Sequence, residues 1–251
     1  IPYFDTPTNR TTWPQLLPKV YPFLPVSLFA LPRLSRILSQ NERSLFSFLG
    51  SYYWGNAISW NGEVPIISPG YGDHPVNGVS PEGARAFCEY YGLRLTNEYE
   101  WEKAARGMTG YDYPWGDSWD SSYLNHSESG DPWEGGILSD GPLVGNLAAT
   151  TPAGYYNGTT YTYPDGFPNG EDQDSYATSE SASPYGVYDL SGNGKEWAID
   201  DQGDFRFVVR GGNWSCGSGS CPIIWLSAWY SSVHTGQMGG SIRPVRTVNA
   251  E

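Results

Sequence analysis

Apolar residues recur at helical spacing in two neighbouring stretches of the chain. In SPEGARAFCEYYG, residues 80–92, Ser80 can cap a helix that begins at Pro81 and ends at Gly92. Its apolar residues recur at i, i+3, i+4 and i+7, which places them on one face. Cys88 lies on this apolar face, which predicts that it is a small core residue rather than a reactive thiol. The whole stripe comprises Ala84, Phe87, Cys88 and Tyr91.

TNEYEWEKAARG, residues 96–107, has the start and stop signals of a second helix. Thr96 or Asn97 can cap it, and acidic residues crowd its first turn. Lys103 and Arg106 lie in its last turn, just before Gly107. A further helix is predicted for LSQNERSLFSFLGS, residues 38–51, from the spacing of its leucine and phenylalanine residues.

The rest of the chain has little periodicity. Residues 1–24 are rich in proline and predict an extended segment that wraps around the rest. Residues 108–185 are polar and rich in Asp, Gly, Tyr and Ser, which favours many short loops pinned to a core. Short strand-like pieces follow from residue 186, namely GVYDL, RFVVRGG and SIRPVR. No domain boundary is visible, so residues 25–251 are predicted to form a single domain.

Composition and charge narrow the class of function. The 251 residues carry a net charge of −13, which argues against binding to a phosphate backbone and hence to nucleic acid. No apolar run reaches the roughly 18–20 residues that a membrane helix needs, so no membrane insertion is expected. Three cysteines do not make a disulfide framework in a chain of this length. They do not show whether the protein works in an oxidising or a reducing compartment.

Four motifs of the chain occur together, and in this order, in a known family. They are HPVNGVSPEGARAFC, GLRLTNEYEWEKAARG followed by YPWGD, SPYGVYDLSGNGKEW, and FVVRGGNW. These runs are similar to those of the formylglycine-generating enzymes, the sulfatase-modifying factor family. The resemblance implies an α+β protein with the C-type lectin-like fold of the formylglycine-generating enzyme type and with much irregular structure. Such a fold accounts for the long patternless middle of the chain.

The resemblance leaves the function open, because one fold serves different chemistries. In the formylglycine oxidases a Cys-x4-Cys pair follows the Gly-Gly-Ser-Trp/Tyr run, binds Cu(I) and oxidises a cysteine of a peptide substrate. Cys216 and Cys221 have that spacing and offset, and soft thiolates suit Cu(I). Only Gly and Ser separate them, and His234 is the only candidate in the segment for a partner that would hold a thiolate. A copper-dependent oxidase with Cys216 and Cys221 as catalytic residues is therefore the alternative interpretation.

The first interpretation is a ligand-binding protein without enzymatic activity. The variable proteins of diversity-generating retroelements share this fold, and their diversified segment runs from Arg-Gly-Gly-Ser/Asn-Trp to Gly-Phe-Arg-Pro or similar. Residues 210–244 begin with RGGNW and close with SIRP. Tyr and Trp set among Ser and Gly are typical of binding surfaces, because they give contact area with few rotors to freeze. The expected ligand-contacting residues are Ser215, Cys216, Gly219, Trp225, Ser227, Trp229, Tyr230, His234, Gln237 and Met238.

This interpretation needs no cofactor, and its partner is an unknown protein or surface ligand. Display at a cell surface or on a virion is compatible with this interpretation. The sequence does not determine the oligomeric state or the ligand.

The resemblance to the family also predicts one metal ion. GNGKEW is similar to the family's Gly-Asn-Val-Trp-Glu-Trp run, in which Asn and Glu side chains can ligate calcium. Asn193 and Glu196 keep those oxygens, so a structural Ca²⁺ is expected there, the other interpretation being a turn in which Glu196 accepts backbone N–H bonds.

Overall fold

A computed structural model gives the fold of most of the domain. It describes residues 19–20, 58–60, 65–67, 69–133, 149–163, 175–200, 207–217 and 240–247, with the backbone alone at 19–20, 58–60 and 65–66. The helix predicted at 38–51 and most of the predicted N-terminal segment lie outside the described residues.

Both helices predicted by start and stop signals are confirmed. Helix α1 spans Pro81–Tyr90, and the hydroxyl of Ser80 accepts the N–H of Gly83 at 3.1 Å. Helix α2 spans Glu98–Arg106 and begins with a reciprocal capping box. In that box the side chain of Asn97 accepts the N–H of Glu100 at 2.8 Å, and the Glu100 carboxylate accepts the N–H of Asn97 at 3.0 Å. These local bonds satisfy donors that a helix start otherwise leaves unpaired.

The described strands are short and pair in small antiparallel sheets. They are β1 Lys19–Val20, β2 Ile58–Trp60, β3 Pro65–Ile67, β4 Arg94–Leu95, β5 Thr160–Thr162, β6 Ser175–Ala177, β7 Glu196–Ile199, β8 Phe207–Arg210 and β9 Pro244–Arg246. A three-stranded sheet has the order β1-β9-β4, and the pairs β2-β3, β5-β6 and β7-β8 form two-stranded sheets. In the β7-β8 ladder, Glu196 lies opposite Arg210 and Ile199 opposite Phe207.

The prediction of a strand at GVYDL is wrong. Residues 186–190 are irregular, and Asp189 has a φ of 60°, a left-handed conformation that breaks a strand. The irregular path turns the carbonyls of Tyr188 and Asp189 towards the guanidinium of Arg243. The other two predicted pieces do contain strands, β8 within RFVVRGG and β9 within SIRPVR.

Three buried clusters form the core of the described residues. The first joins the apolar face of α1 to strands β4, β7 and β8, and the 0% exposure of Cys88 confirms that it is a core residue. Burial raises the pKa of the Cys88 thiol to about 12, which keeps it protonated. The second cluster contains Trp101, Ala105 and Leu190.

The third cluster organises the patternless middle of the chain through tyrosines. Trp133, Tyr155 and Tyr156 form its buried centre, with Tyr161, Tyr163 and Tyr176 packed against them. The hydroxyl of Tyr156 donates to the carboxylate of Asp131 at 2.9 Å, and that of Tyr176 donates to the carbonyl of Ser129 at 2.8 Å. The predicted loops are thus pinned to a core by aromatic packing and by hydrogen bonds from tyrosine hydroxyls.

None of the helices in the described ranges is long and apolar enough to cross a membrane.

Candidate functional site

The closing end of the 210–244 segment is fastened by a buried ion pair. Arg243 and Glu196 both have side chains with 0% exposure. Arg243 donates from Nε to Glu196 Oε2 and from Nη2 to Glu196 Oε1, both at 2.7 Å. The indole N–H of Trp101 donates to the same Oε2 at 2.6 Å. Two buried charges are stable only when their hydrogen-bonding groups are paired. Both oxygens of the Glu196 carboxylate are therefore used by Arg243 and Trp101.

The opening end of the segment reaches the same tryptophan. The guanidinium of Arg210 lies 5.4 Å from the Trp101 ring centroid, and Arg210 donates from Nη2 to Glu102 at 2.6 Å. The side chain of Arg210 is 1% exposed. Arg210 therefore lies against Trp101 of helix α2, and Arg243 bonds the carboxylate to which Trp101 donates, so both ends of the segment are anchored beside this tryptophan.

Two glycines allow this close approach. Gly211 has a φ of +87°, and a Cβ there would lie 3.1 Å from Cζ2 of Trp101. A Cβ on Gly240 would lie 2.6 Å from Nε1 of Trp197, whose N–H donates to the carbonyl of Val79 at 2.7 Å. Each end of the segment thus has a glycine against a core tryptophan, where a larger residue would displace the ring.

A tight turn at Asn213–Cys216 begins the segment proper. The Cys216 N–H donates to the Asn213 carbonyl at 3.0 Å, and the Asn213 N–H donates to Cys216 Sγ at 3.2 Å. Ser127 holds the Cys216 carbonyl through its N–H at 3.0 Å and its hydroxyl at 2.9 Å. The Trp214 N–H donates to the Asn193 carbonyl at 3.0 Å. The backbone of this turn is therefore held by residues outside the segment.

The structure describes part of the predicted contact set. Ser215 is exposed and Cys216 is half-buried, so both lie at the surface of the turn. The remaining predicted residues, and Cys221 of the alternative pair, lie outside the described residues; they are Gly219, Trp225, Ser227, Trp229, Tyr230, His234, Gln237 and Met238.

Lys195 lies near Cys216 in the fold, which the sequence did not reveal. The segment itself offered only His234 as a partner for a thiolate, but the fold places Lys195 within electrostatic range of Cys216. Burial lowers the pKa of Lys195, and its electrostatic interaction with Cys216 acts in the opposite direction. The departure of Lys195 from the family's GNVWEW run was the one signal available, but only the fold shows what this residue faces.

The residues offered for calcium do not fit a calcium site in this geometry. Both oxygens of Glu196 accept bonds from Arg243, whose charge stands where a cation would bind. Asn193 forms a reciprocal pair with the backbone of Thr151, accepting its N–H at 3.0 Å and donating to its carbonyl at 3.2 Å. The other interpretation, in which Glu196 accepts backbone N–H bonds, also disagrees with the structure. The groups that donate to the Glu196 carboxylate are side chains. Calcium at Asn193 and Glu196 stays a prediction without geometric support.

Asp189 is a buried carboxyl group close to Arg243. Asp189 is 7% exposed and accepts the N–H of Gly154 at 2.6 Å. Burial raises its pKa to about 6, against the Gly154 bond and the charge of Arg243, which both lower it. Across the described ranges, no group of three or more His, Cys, Asp or Glu side chains is arranged to hold a metal ion.

Comparison with known proteins places most of the chain in one family. Residues 54–247 match the Sulfatase-modifying factor enzyme 1-like domain. The chain is 32% identical over 170 residues to the serine/threonine-protein kinase pkn1 of Chlamydia caviae, covering 59% of this chain and 20% of the kinase. It is 32% identical over 148 residues to the inactive C-alpha-formylglycine-generating enzyme 2 of Bos taurus, covering 57% and 39%. The chain thus spans well under half the length of these relatives.

Among solved structures, the fold is similar to that of Treponema denticola variable protein 1. The match has a TM-score of 0.47 and 16% sequence identity, and it covers 81% of this chain and 80% of that protein.

Proposed function

Because the chain belongs to the Sulfatase-modifying factor enzyme 1-like family, we propose that it is a ligand-binding protein that displays residues 210–244 as a sequence-variable surface. Its fold is the α+β, C-type lectin-like fold of the formylglycine-generating enzyme type, as the motifs predicted. The role is that of the variable protein of a diversity-generating retroelement, whose frame from Arg-Gly-Gly-Ser/Asn-Trp to Gly-Phe-Arg-Pro the segment resembles, with Ser241 and Ile242 in place of Gly and Phe.

The convergence of both segment ends on Trp101 carries this proposal. Arg210 and Arg243 bind residues outside the segment, namely Glu102 and Glu196. The ion pairs at both ends of the segment therefore use these two arginines, and Ser241 near the closing end adds a hydrogen bond to Asn77. A surface held in this way can change its sequence without loss of the fold, since substitutions away from buried contacts usually shift stability by less than about 0.5 kcal/mol.

The turn at 213–216 supports the same division. Its backbone is held by Ser127 and by the Asn193 carbonyl, while the side chain of Ser215 is exposed. The bovine relative whose name calls it inactive supports a role without catalysis. Display at a cell surface or on a virion belongs to the same proposal.

Two yeast-displayed libraries test this function. One randomises Ser215, Cys216, Gly219, Trp229, Tyr230 and His234, and the other randomises Trp101, Glu196, Arg210 and Arg243. We expect most members of the first library, and few of the second, to be displayed in a protease-resistant form. Selection of the first library on an immobilised protein should then enrich binders. Equal losses of resistance in both libraries would contradict the proposal.

The oxidase is kept as a second candidate because of one specific observation. Cys216 has a cationic neighbour in Lys195, and its sulfur accepts the N–H of Asn213 at 3.2 Å. The N–H bond to the sulfur favours a thiolate, the form that binds Cu(I), while the contact of Sγ with Asn213 Oδ1 at 3.6 Å favours the thiol. In that case Cys216 and Cys221 would hold the copper ion, which would supply the oxidative chemistry.

A further inference from the structure

The turn at 213–216 is held by one residue of a separate loop. Ser127 donates to the Cys216 carbonyl through its N–H at 3.0 Å and through its hydroxyl at 2.9 Å. We call these two bonds the latch. Ser127 is exposed, so the latch lies at the surface of the protein. Contacts at the surface can open locally while the core stays folded, so the latch can open independently of the fold.

The loop that carries the latch is anchored in the core at Asn125. The carbonyl of Asn125 accepts the N–H of Asn193 at 3.0 Å, and its side chain donates to the Ala149 carbonyl at 2.7 Å. Asn125 is 1% exposed. His126 lies between this anchor and Ser127 in the chain. The conformation of His126 therefore determines where Ser127 stands relative to the turn.

His126 closes the loop around Ser127. Its Nδ1 accepts the N–H of Glu128 at 3.2 Å, and its carbonyl accepts the N–H of Ser129 at 3.2 Å. A ring nitrogen that accepts a hydrogen bond carries no proton, so the proton of this neutral ring lies on Nε2. Both bonds span Ser127, and they fix the direction in which it donates to Cys216.

The surroundings of the ring do not accommodate a second proton. His126 is 1% exposed and packs edge-on against Trp119, with ring centroids 4.9 Å apart. Its buried Nε2 has no hydrogen-bond partner among the described residues. A proton on Nδ1 would meet the Glu128 N–H, donor against donor, and the bond that closes the loop would be lost. A protonated His126 is therefore incompatible with the closed loop.

The charged groups near His126 act in opposite directions. Burial of the ring lowers its pKa from the ordinary value of 6.5, and Glu128 on the same loop raises it by a smaller amount. The loop before the 3-10 helix Ser121–Tyr123 contributes the exposed Asp120, whose charge also favours a protonated ring. The neighbouring turn contributes the Cys216 thiol, and the positive charge of Lys195 near it disfavours a protonated ring.

We propose that His126 makes the latch a pH-sensitive switch, in which the neutral ring keeps Ser127 on the Cys216 carbonyl and the protonated ring releases it. The closed loop has the lowered pKa, whereas His126 in the open loop regains the ordinary value of 6.5. The closed loop is therefore fully favoured above about pH 6.5 and loses this advantage as the pH falls. Uptake of one proton on opening raises the opening equilibrium by up to about tenfold for each pH unit.

The switch would regulate the proposed binding surface. Ser215 and Cys216, two of the expected ligand-contacting residues, belong to the turn that the latch holds. Its release would change the position of both side chains, so the affinity for a selected ligand should fall at acid pH. This consequence rests on the proposed function, whereas the switch itself rests on the described contacts alone.

Amide hydrogen exchange of the wild-type protein, measured by NMR between about pH 5 and pH 7.5, tests the switch. The N–H groups of Ser127 and Glu128 report on the closed loop. The control is the N–H of Ala84 in helix α1, which donates to the Ser80 carbonyl at 2.8 Å. Below about pH 6.5, the protection factors of the two reporters should fall by up to about tenfold for each pH unit, and that of Ala84 much less. Parallel changes at all three amides would overturn the inference.

Two matched variants identify the histidine that is responsible. His126→Asn places an amide oxygen near the position of Nδ1, where it can accept the Glu128 N–H at any pH. Its protection factor at Ser127 should therefore not depend on pH. His74→Asn replaces a histidine that is 0% exposed and bonds Thr150 through Nδ1, and it should leave the pH dependence at Ser127 unchanged. A pH dependence that persists in His126→Asn would also overturn the inference.

Failure of the switch is distinguishable from failure of the proposed function, because the exchange measurement uses no ligand. Protection at Ser127 that does not depend on pH, in a protein whose library yields binders, would refute the switch and leave the display function in place. A pH-dependent latch in a protein whose library yields none would support the switch and count against display.

Discussion

Arg243 and Glu196 form a two-bond ion pair whose side chains have 0% exposure, 47 positions apart in the chain. The same Glu196 lies opposite Arg210 in the β7-β8 ladder. Glu196 thus meets the residue that closes the 210–244 segment through its carboxylate and the residue that opens it through the backbone ladder.

Replacing Arg243 by Met should destabilise the fold strongly. The change leaves the Glu196 carboxylate buried without its cation, which typically costs about 3–5 kcal/mol. Urea unfolding monitored by circular dichroism measures this loss. The matched change Arg85→Met breaks an exposed pair with Glu89 and should cost less than about 1 kcal/mol.

The double variant Arg243→Met, Glu196→Gln should recover part of that loss. It removes both charges, so no uncompensated carboxylate remains buried. A double variant that is less stable than Arg243→Met alone would show that Glu196 serves Trp101 more than Arg243. That result would contradict the central place given to the ion pair.

Gly240→Ala should destabilise the closing end of the segment. The new methyl group would meet the indole of Trp197, whose nearest atom would be 2.6 Å from it. Overpacking of this kind costs about 1–3 kcal/mol. Gly72→Ala is the control, because no atom of the described structure lies within 4 Å of its added Cβ. Similar melting temperatures for the two variants would rule out the close packing of Gly240 on Trp197.

Asp189→Asn should change the pH dependence of stability. Burial raises the folded-state pKa of Asp189 to about 6 from 3.8, so the folded protein binds this proton more tightly than the unfolded chain. The contribution is therefore fully present below about pH 3.8, falls as pH rises towards about 6, and is lost above it.

Asn can replace Asp189 structurally, since it keeps an acceptor for the Gly154 N–H and tolerates the φ of 60°. The variant should remove this part of the slope and be about 1–3 kcal/mol more stable than the wild type at pH 7. Denaturant unfolding between pH 4 and pH 7 measures it, with the exposed Asp112→Asn as control. An unchanged slope in Asp189→Asn would contradict the assignment.

Calcium should have little effect on this region. Glu196 is occupied by Arg243 and Trp101, so adding calcium or a chelator should move the melting temperature by less than about 1 °C. A saturated calcium site would instead stabilise by about 2.7 kcal/mol at a hundredfold excess over Kd. If calcium does stabilise the wild type and not Asn193→Ala, the expectation from the resemblance is right and the present prediction is wrong.

The double change Cys216→Ser, Cys221→Ser separates the two candidate functions. For a binding surface, it should alter stability by less than about 1 kcal/mol, because no metal or disulfide is lost. Titration of the wild type with Cu(I) should then show no tight stoichiometric site, and a cysteine peptide should stay unoxidised. Tight Cu(I) binding that the double change abolishes would establish the oxidase. Lys195→Met tests the same point, since it should weaken such binding if the lysine favours the thiolate.

Much of the architecture was predictable because it depends on local signals. The capping box of Asn97 and Glu100 and the N-cap of Ser80 are made within three positions of the chain, so both helices follow from short sequence patterns. The family could be recognised because its motifs keep their order. The strand at 186–190 was wrongly predicted because an alternating pattern does not reveal that Asp189 turns left-handed to serve Arg243.

The sequence by itself determined the two helices, the core role of Cys88 and the family. Tertiary structure alone decided that Arg210 lies against Trp101, that Arg243 and Trp101 share the Glu196 carboxylate, and that Ser127 holds the Cys216 carbonyl. These relationships join residues far apart in the chain, and their energies come from burial and from charge pairing. Neither leaves a periodic pattern in the sequence, because each depends on which side chains the fold removes from water together.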